Sequence, residues 1–406
     1  MIRAYRTPIV LGVIALIVIV LFGLIGSDGD STFRISTSGD FFTVPDFVLP
    51  SRGTALVLGI VLLAIAAASA LLVRRGGRVR AWVLAVFGVL AVFATLSWAI
   101  AGGTLPMTQL LQGSLALAVP LVFGALGGVL SERVGVVNIA IEGQLLAGAF
   151  SSAVVASLTG NLYAGLLAAA VAGALVSLVL AVFAITYIVD QVIVGVVLNV
   201  LVVGLTSFLH SAVLDSASNS PGRLPQIEIP LLAQIPLLGP LLFEQTLIIY
   251  LMFIAVAIVT FALFRTRWGL RLRAVGEHPQ AADTVGINVA RTRFMGVTLG
   301  GALAGLGGAF FTLGSVGAFS QEMTAGQGYI ALAALIFGRW NPILATLAAL
   351  LFGFARNLAS VLGIVGSPVP SQFLLMLPYV VTLIAVAGLA GKVRGPAAAG
   401  TPYIKG

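Results

Sequence analysis

The chain contains a series of apolar runs, most of them close to 20 residues long, and these runs constrain its fold more than any other feature. About 20 apolar residues in a helix cross the hydrocarbon core of a bilayer, and lipid offers no water to backbone groups that are left unpaired. The alternating short strands of a membrane barrel do not occur in the sequence. The runs predict membrane helices at 8–26, 54–73, 81–102, 109–130, 138–158, 163–187, 191–210, 245–264, 294–314, 326–338, 341–363 and 371–391.

The composition agrees with this class and excludes an ordinary soluble domain. Hydrophobic residues make up 60% of the 406 residues and charged residues only 8%, whereas charged residues are about 25% of a typical soluble domain. The run at 326–338 is short, and a half-helix that enters and leaves one face is an alternative to a span there. We therefore predict an all-α fold, a polytopic transmembrane helical bundle with eleven or twelve spans.

The formal net charge of +8 is distributed in a way that predicts topology. If the N-terminus is cytosolic, most basic residues fall in cytosolic connections, including four arginines in 74–80 and six in 265–293, and most acids fall outside. This bias follows the positive-inside rule. It predicts a multi-pass protein of the plasma membrane, embedded in a lipid bilayer with both termini in the cytoplasm, and gives no reason to expect a nucleic-acid partner.

The chain divides into a generic first part and a more specific second part. Residues 1–104 hold three spans and are predicted to be an accessory region, 105–392 the working core, and 393–406 a cytosolic tail. Glycine and alanine recur at close spacing in the core, which lets helix backbones approach each other. The similar segments Ala147–Phe150 and Gly307–Phe310 indicate a weak internal repeat.

Two polar groups interrupt the apolar runs. Asn138, Glu142 and Gln144 enter one span, and Gln191 and Asn199 enter another. Asn138 and Glu142 are four residues apart, a spacing that places both on one face of a helix. A charge at membrane depth costs about 2.5–3.5 kcal/mol, so we expect Glu142 to face a cavity or a partner. Two interpretations are open: these residues line a substrate path, or the carboxylate caps a neighbouring broken helix.

The polar segment 265–293 separates two apolar runs and carries six arginines and two acids. Its centre, 280–286, reads QAADTVG. The small alanines permit close docking of a helix, and Gly286 allows the chain to turn after that helix. These features indicate a short docking helix on the cytosolic side, in preference to an ordinary solvated basic loop.

The sequence contains no recognisable catalytic or metal-binding motif. The chain has no cysteine and only two histidines, His210 and His278, too few and too scattered for a metal site. The pair Gly391-Lys392 lacks the upstream glycine of a phosphate-binding loop. We therefore expect neither an enzyme nor a bound cofactor or metal, and any ATP that is consumed is expected on another polypeptide.

Four ordered segments carry a resemblance to a known family. They are SERVGVVNIAIEGQLLAGAF (131–150), DQVIVGVVLNVLVVGLTSFL (190–209), LRAVGEHPQAADTVGINV (272–289) and GYIALAALIFGRWNP (328–342). Together they resemble the permease subunits of ABC importers, in the group of branched-chain amino acid and simple-sugar (ribose-type) permeases. The forms GVVNIAIEG and FGRWNP look most like the nucleoside-uptake branch. The resemblance covers about 105–392 and leaves the first hundred residues outside.

The resemblance implies a bacterial permease with three kinds of partner. These are a cytosolic ATP-binding subunit, a second permease subunit that is a homologue, and an extracytoplasmic solute-binding lipoprotein. The segment 276–288 would be the coupling loop that docks on the ATP-binding subunit, and the residues that carry this expectation are Gly276, Glu277, Gln280, Ala281, Ala282, Asp283 and Gly286. The family pattern is Glu-Ala-Ala-x-x-x-Gly, and Gln280 replaces its glutamate here, which removes the charge for an ion pair at that position.

The function that the resemblance implies is translocation of a small polar solute by alternating access, driven by the separate ATP-binding subunit. Nucleosides are the first expectation, and simple sugars and branched-chain amino acids stay open as substrates. An ion-coupled secondary transporter is a rival mechanism, with Glu142 and Asp190 as candidate ion-binding residues. A membrane scaffold without transport activity is the third alternative.

Overall fold

The computed structural model describes residues 2–26, 28–37, 39–214, 219–365, 372, 373, 376 and 395–405, and the statements below concern these residues. The helices are α1 (Ile2–Ile17), α2 (Ser51–Arg74), α3 (Ala81–Ala99), α4 (Met107–Arg133), α5 (Ile141–Thr159), α6 (Leu162–Ala181), α7 (Gln191–Val213), α8 (Leu247–Arg265), α9 (Arg267–Glu277), α10 (Pro279–Thr284), α11 (Val289–Ala309), α12 (Gln327–Phe337) and α13 (Pro342–Val365). π-Helical turns continue α1, α6 and α11 through Val18–Leu24, Val182–Thr186 and Phe310–Val316, and a fourth lies at Gly239–Phe243. The strands are β1 (Asp30–Arg34), β2 (Phe47–Pro50), β3 (Thr104–Pro106), β4 (Gln226–Glu228) and β5 (Glu244–Thr246).

Ten of the described helices are long and apolar enough to cross a membrane. They correspond to the nine predicted runs from 8–26 to 294–314 and to the run at 341–363, so the all-α transmembrane class is confirmed. The run at 326–338 is α12, which has only 11 residues. The predicted span 371–391 lies almost wholly outside the described residues, as do Lys392 and Arg394.

The chain forms two compact units. The first comprises Met1–Gln112, Pro230–Leu242 and Arg356–Val380, and the second comprises Gly113–Ile229, Phe243–Ala355 and Val381–Gly406. The predicted division at residues 104 and 392, which separates an accessory region from a working core by function, stays a prediction.

In the first unit, α1, α2 and α3 pack together through apolar side chains such as Leu11, Leu62 and Phe87. Beside them β1 lies between β2, which runs antiparallel to it, and β3, which runs parallel. Both β1 and β2 lie between the predicted spans 8–26 and 54–73, where no strand was predicted from the sequence. Strands of three to five residues were missed because they are too short for a period-two pattern to stand out from a loop.

The second unit depends on close contact between the backbones of α5, α6 and α11. A Cβ added at Gly148 of α5 would overlap the carbonyl of Gly305, and one at Gly173 of α6 would overlap the carbonyl of Gly301. Glycine at these positions therefore allows helices to meet at backbone distance, which is how helices associate where burial from water offers no driving force. The segments Ala147–Phe150 and Gly307–Phe310 belong to this contact, since Gly308 packs against the backbone of α5.

We predict that Gly173→Ala destabilises the protein by about 1–3 kcal/mol, because the new methyl group must push α6 away from α11. Gly204→Ala on α7 is the matched control, since nothing lies within 4 Å of the Cβ that it adds. Alanine is a better helix former than glycine by about 1 kcal/mol, so the control is expected to be neutral or stabilising. Thermal unfolding in detergent measures both, and equal melting temperatures for the two variants would contradict the packing account.

Candidate functional site

The predicted polar residues gather around a non-helical loop, residues 134–140, which joins α4 to α5 and is largely buried. Asn138 lies in this loop and forms a reciprocal amide pair with Gln144 of α5. The Asn138 Nδ2 donates to Gln144 Oε1 at 3.1 Å, and the Gln144 Nε2 donates to Asn138 Oδ1 at 3.0 Å. Gln144 Nε2 also donates to the Ser177 hydroxyl of α6 at 2.8 Å. This cluster ties the loop to two of the packed helices.

The prediction that Asn138 and Glu142 share a helical face is wrong. Helix α5 begins at Ile141, so Asn138 precedes it and belongs to the loop. Hydropathy placed the start of this helix three residues too early, because the loop residues Ile139 and Ala140 are apolar although they are not helical. The two side chains therefore serve different contacts.

Glu142 caps the N-terminus of the short helix α12. Its Oε1 accepts hydrogen bonds from the Thr324 hydroxyl at 2.6 Å and from the Gly326 amide at 2.8 Å, and its Oε2 accepts one from the Gly328 amide at 2.6 Å. A carboxylate is favourable at a helix N-terminus because the amides there are unpaired and carry partial positive charge. These bonds are the ones expected from the capping alternative, and a role of Glu142 in lining a substrate path stays a prediction.

Asn199, in the middle of α7, bridges the start of α5 and α12. Its Oδ1 accepts a hydrogen bond from the Gly143 amide at 2.8 Å. Its Nδ2 donates to the carbonyl of Ile139 at 2.9 Å and to the hydroxyl of Tyr329 on α12 at 3.2 Å. Gln191, at the start of the same helix, accepts a bond from the Val137 amide at 2.7 Å. The structure thus brings all five predicted residues to one region, where they bond to the loop and to the starts of α5 and α12.

Two amide atoms in this region keep free bonding capacity. Gln191 Nε2 and Gln327 Oε1 are buried and have no hydrogen-bond partner within the described part of the chain. Buried polar atoms are nearly always paired, so an unpaired one calls for a ligand, a water molecule or a second conformation. Gln327 and Thr324 were not predicted, because neither stands out by composition. Thr324 matters through its hydrogen bond to the distant Glu142, and Gln327 through its buried, unpaired oxygen.

Asp190 has a local structural role. It is the N-cap of α7, and its carboxylate accepts hydrogen bonds from the amides of Val192 at 2.9 Å and Ile193 at 3.1 Å. An aspartate in this position satisfies amides that the helix itself leaves unpaired. Asp190 is exposed, in contrast to the buried Gln191 that follows it.

The predicted coupling segment is divided between two helices. Gly276 and Glu277 end α9, and α10 then runs from Pro279 to Thr284. Gly286 follows with φ of 84°, a left-handed conformation that glycine adopts without strain. The members of α10 and its turn that face solvent are Gln280, Ala281, Thr284, Val285 and Gly286, whereas Ala282 is buried and Asp283 half-buried. The predicted short helix and its glycine stop are therefore present.

A C-terminal segment, Gly395–Lys405, packs against this region. The Ala398 amide donates to the carbonyl of Gly276 at 2.9 Å, and the Gly400 amide donates to the carbonyl of Gly135 at 3.3 Å. The Ala397 amide donates to Glu277 Oε2 at 3.2 Å. The segment therefore joins the end of α9 to the first residues of the buried loop.

The same segment reaches the start of α11. The side chain of Arg293 is 1% exposed, and its Nη1 donates to the carbonyl of Thr401 at 3.2 Å. The Tyr403 hydroxyl is hydrogen-bonded to Asp283 of α10, and Lys405 Nζ lies 4.0 Å from the same carboxylate. From the sequence, only a cytosolic tail was predicted here, since a stretch of Gly, Ala and Pro carries no periodic signal.

The end of α4 connects these elements to the turn between α12 and α13. Trp340 Nε1 donates to Glu132 Oε2 at 2.6 Å, and Arg133 Nε donates to the carbonyl of Trp340 at 2.9 Å. Gly276 packs on the Arg133 carbonyl, where a Cβ would overlap it. The C-terminal turn of α4 therefore contacts both α9, the helix before α10, and the turn that follows α12.

The chain is similar in sequence to ABC transporter permease proteins. The family model of the branched-chain amino acid transport system permease component matches residues 110–400. The guanosine ABC transporter permease protein NupQ of Bacillus subtilis is 42% identical over 315 residues, covering 74% of this chain and 98% of the relative. The nucleoside ABC transporter permease protein NupC of Lactococcus lactis is 43% identical over 302 residues, covering 72% and 95%.

A further relative is named for a sugar. The putative glucose ABC transporter permease protein TsgC13 of Haloferax volcanii is 37% identical over 252 residues, covering 60% of this chain and 74% of the relative. No solved structure matches the chain.

We predict that Glu142→Gln lowers the stability of the protein by about 1.5–3 kcal/mol, because an amide nitrogen replaces an acceptor oxygen and confronts a donor at the start of α12. Glu322→Gln is the control, since Glu322 is an exposed acid in the segment before α12 and its loss is expected to cost less than about 0.5 kcal/mol. Thermal unfolding in detergent compares them. A Glu142→Gln protein as stable as the parent, but with reduced uptake, would contradict the capping role and favour the substrate path.

Proposed function

Because the chain belongs to the family of branched-chain amino acid transport system permease components, we propose that it is the membrane-spanning permease subunit of an ABC importer for nucleosides. Two relatives named for guanosine and nucleoside transport align over nearly their whole length, which supports this substrate class. The relative named for glucose aligns over a smaller share at lower identity, so simple sugars are the second candidate. Branched-chain amino acids are supported only by the description of the family.

Helix α10 is the single feature that supports coupling of this permease to an ATP-binding subunit. It is a six-residue helix that begins at a proline, presents Gln280 and Ala281 to solvent, and is stopped by a left-handed glycine. Small side chains on its exposed face allow another protein to approach the backbone closely. We assign this face to the contact with a cytosolic ATP-binding subunit.

The contacts of α4 supply a route from α10 to the polar cluster. Movement of α10 displaces the end of α9, which packs through Gly276 on the carbonyl of Arg133. Directly after Arg133 comes the buried loop, which is bonded to α7 and α5. In the proposed cycle, ATP binding closes the pair of ATP-binding subunits, and the movement passes along this route and opens the path to the outside. ATP hydrolysis then returns it to the inside.

The polar cluster is the proposed wall of the substrate path. Most of its hydrogen-bonding groups are paired within the protein, which suits a wall that must keep its shape while it moves. Gln191 Nε2 and Gln327 Oε1 have no hydrogen-bond partner within the described residues. The hydroxyl and amide groups of a nucleoside can form hydrogen bonds with both. We propose these two side chains as the ones that meet the solute.

The remaining parts of the proposal concern partners and orientation. A second permease subunit, homologous to this one, completes the path, and an extracytoplasmic solute-binding lipoprotein delivers the nucleoside. Both termini lie in the cytoplasm, which places α10 and the C-terminal segment on the same side as the ATP-binding subunit. The permease itself has no catalytic role and holds no cofactor or metal in this scheme.

We expect cells that contain the complete importer to take up labelled guanosine in a manner that depends on ATP. Depletion of ATP should abolish uptake, while an uncoupler that spares the ATP pool should not. Excess unlabelled nucleoside should compete, and excess ribose, glucose or leucine should not. Uptake that follows the proton gradient would replace this proposal with ion coupling through Glu142 and Asp190, and competition by a sugar alone would move the substrate class to sugars.

We further expect Gly286→Val to reduce uptake at least ~10-fold, because a β-branched residue is strained by roughly 1–3 kcal/mol in the left-handed conformation that ends α10. Open space surrounds this position, so the effect is one of backbone conformation and not of collision. Gly286→Asn is the matched control, since asparagine tolerates this conformation, and it should retain most uptake. Uptake per amount of membrane protein is the measurement, and unchanged uptake in Gly286→Val would remove the coupling role of α10.

A further inference from the structure

A basic groove lies between α9 and the start of α11. Its volume is about 1010 Å³, and Arg267, Arg271 and Arg291 line it. All three side chains are exposed, and within the described ranges no carboxylate oxygen lies within 4.0 Å of them. Arg267 and Arg271 are four residues apart and therefore share one face of α9. The groove thus carries three positive charges that are not paired with any carboxylate of the described residues.

A second, apolar groove continues from the first. It has a volume of about 240 Å³, lies among α4, α8 and α11, and shares the wall residue Trp268 with the basic groove. Along α11, Arg291, Met295, Leu299 and Leu303 follow one another at intervals of four residues. Because this spacing keeps side chains on one face, a single stripe leads from the arginines into the apolar groove.

The dimensions of the stripe are those of a lipid chain. Met295 and Leu299 are 42% and 45% exposed, and Ile258, on the α8 wall, is 60% exposed, so their apolar surface is open to an occupant. At about 1.5 Å per residue, the distance along α11 from Met295 to Leu306, the last α11 residue in the wall of the apolar groove, is ~16 Å. This is about half of the ~30 Å hydrocarbon core, which is the depth of the acyl chains in one leaflet.

We propose that the two grooves together bind one anionic phospholipid. Its phosphate lies among the three arginines, whose planar guanidinium groups suit phosphate oxygens, and an acyl chain lies along the stripe of α11. Trp268 stands at the junction of the two grooves, and tryptophan is enriched where the headgroup and the acyl region of a bilayer meet. The basic groove lies at the ends of the helices, and the apolar groove lies along them. This order matches an amphipathic ligand with a negatively charged headgroup.

The site is independent of what the protein transports, but it touches the proposed coupling element. Val285, Gly286 and Ile287 also line the basic groove. A bound headgroup therefore contacts the turn that joins α10 to α11. We expect the lipid to hold this turn in place and to raise the thermal stability of the protein.

The test uses the full-length protein in phosphatidylcholine nanodiscs that contain increasing amounts of phosphatidylglycerol brominated on its acyl chains. Bromine quenches nearby tryptophan, so the emission of Trp268 reports occupancy, and the part of the quenching lost in Trp268→Phe is taken as the signal. Saturable quenching by brominated phosphatidylglycerol, and its absence with brominated phosphatidylcholine, are expected. Equal quenching by the two lipids would overturn the proposal.

Two variants and one matched control locate the site. Replacement of Arg267, Arg271 and Arg291 by glutamine should weaken the apparent affinity at least ~10-fold, since each basic residue near an anionic membrane contributes about 1 kcal/mol. The same replacement of Arg74, Arg75 and Arg78, in the connection between α2 and α3, removes equal charge and should have little effect. Ala302→Phe should weaken binding by filling the apolar groove while leaving the arginines in place. Equal loss in the charge-matched control would show attraction to the surface without a site.

Competition and cross-linking separate the lipid from other occupants. Glycerol 3-phosphate and inorganic phosphate should not displace the brominated lipid, because neither fills the apolar groove. Displacement by either would reduce the site to one for free phosphate. A photoreactive residue in place of Leu299 should label lipid in native membranes, and labelling of a protein there would identify the groove as an interface between subunits and overturn the proposal.

Discussion

Backbone that is not helical but is buried among membrane helices must find all its hydrogen-bond partners within the protein, and this constraint explains the polar residues of the second unit. The loop 134–140 and the start of α12 are such backbone. Gln191 and Asn199 bind the amides and carbonyls of the loop region, and Glu142 binds the start of α12. In the sequence these side chains resemble a ligand site. Their first role is to pair the backbone groups that interrupted helices would otherwise leave without hydrogen bonds in a membrane.

A structure held in this way is also one that can move as a unit. The end of α4 contacts α9 through the carbonyl of Arg133 and contacts the turn after α12 through Glu132 and Trp340. Because Glu142 binds the other end of α12 to α5, a displacement of α9 in the proposed cycle would reach both ends of α12 through these contacts. The C-terminal segment adds backbone bonds at Gly276 and Gly135, which strengthen the same connection. Because these contacts are between backbone atoms, which cannot adjust as flexible side chains do, α4 and α9 are expected to move together.

Hydropathy was sufficient to predict the class and ten spans, because a helix that crosses lipid must be apolar over about 20 residues. It could not predict where α5 begins, since Ile139 and Ala140 are as apolar as the helix that follows. Periodicity also could not reveal that Glu142 caps α12 or that residues 395–405 return to α9, because both depend on contacts between distant parts of the chain. The glycine stop after α10 was predictable, since it is encoded locally by Gly286.

The positions of the arginines on α9 and α11 show that charge in a membrane protein can have two functions at once. As members of a basic connection they favour one orientation of the chain. Arg267, Arg271 and Arg291 also line one groove, and an apolar groove begins at Trp268 in its wall. The wall shared with Val285 and Gly286 brings this groove to the turn of α10. A lipid held there and an ATP-binding subunit docked on α10 would both contact this turn, so the affinity for each partner would depend on the presence of the other.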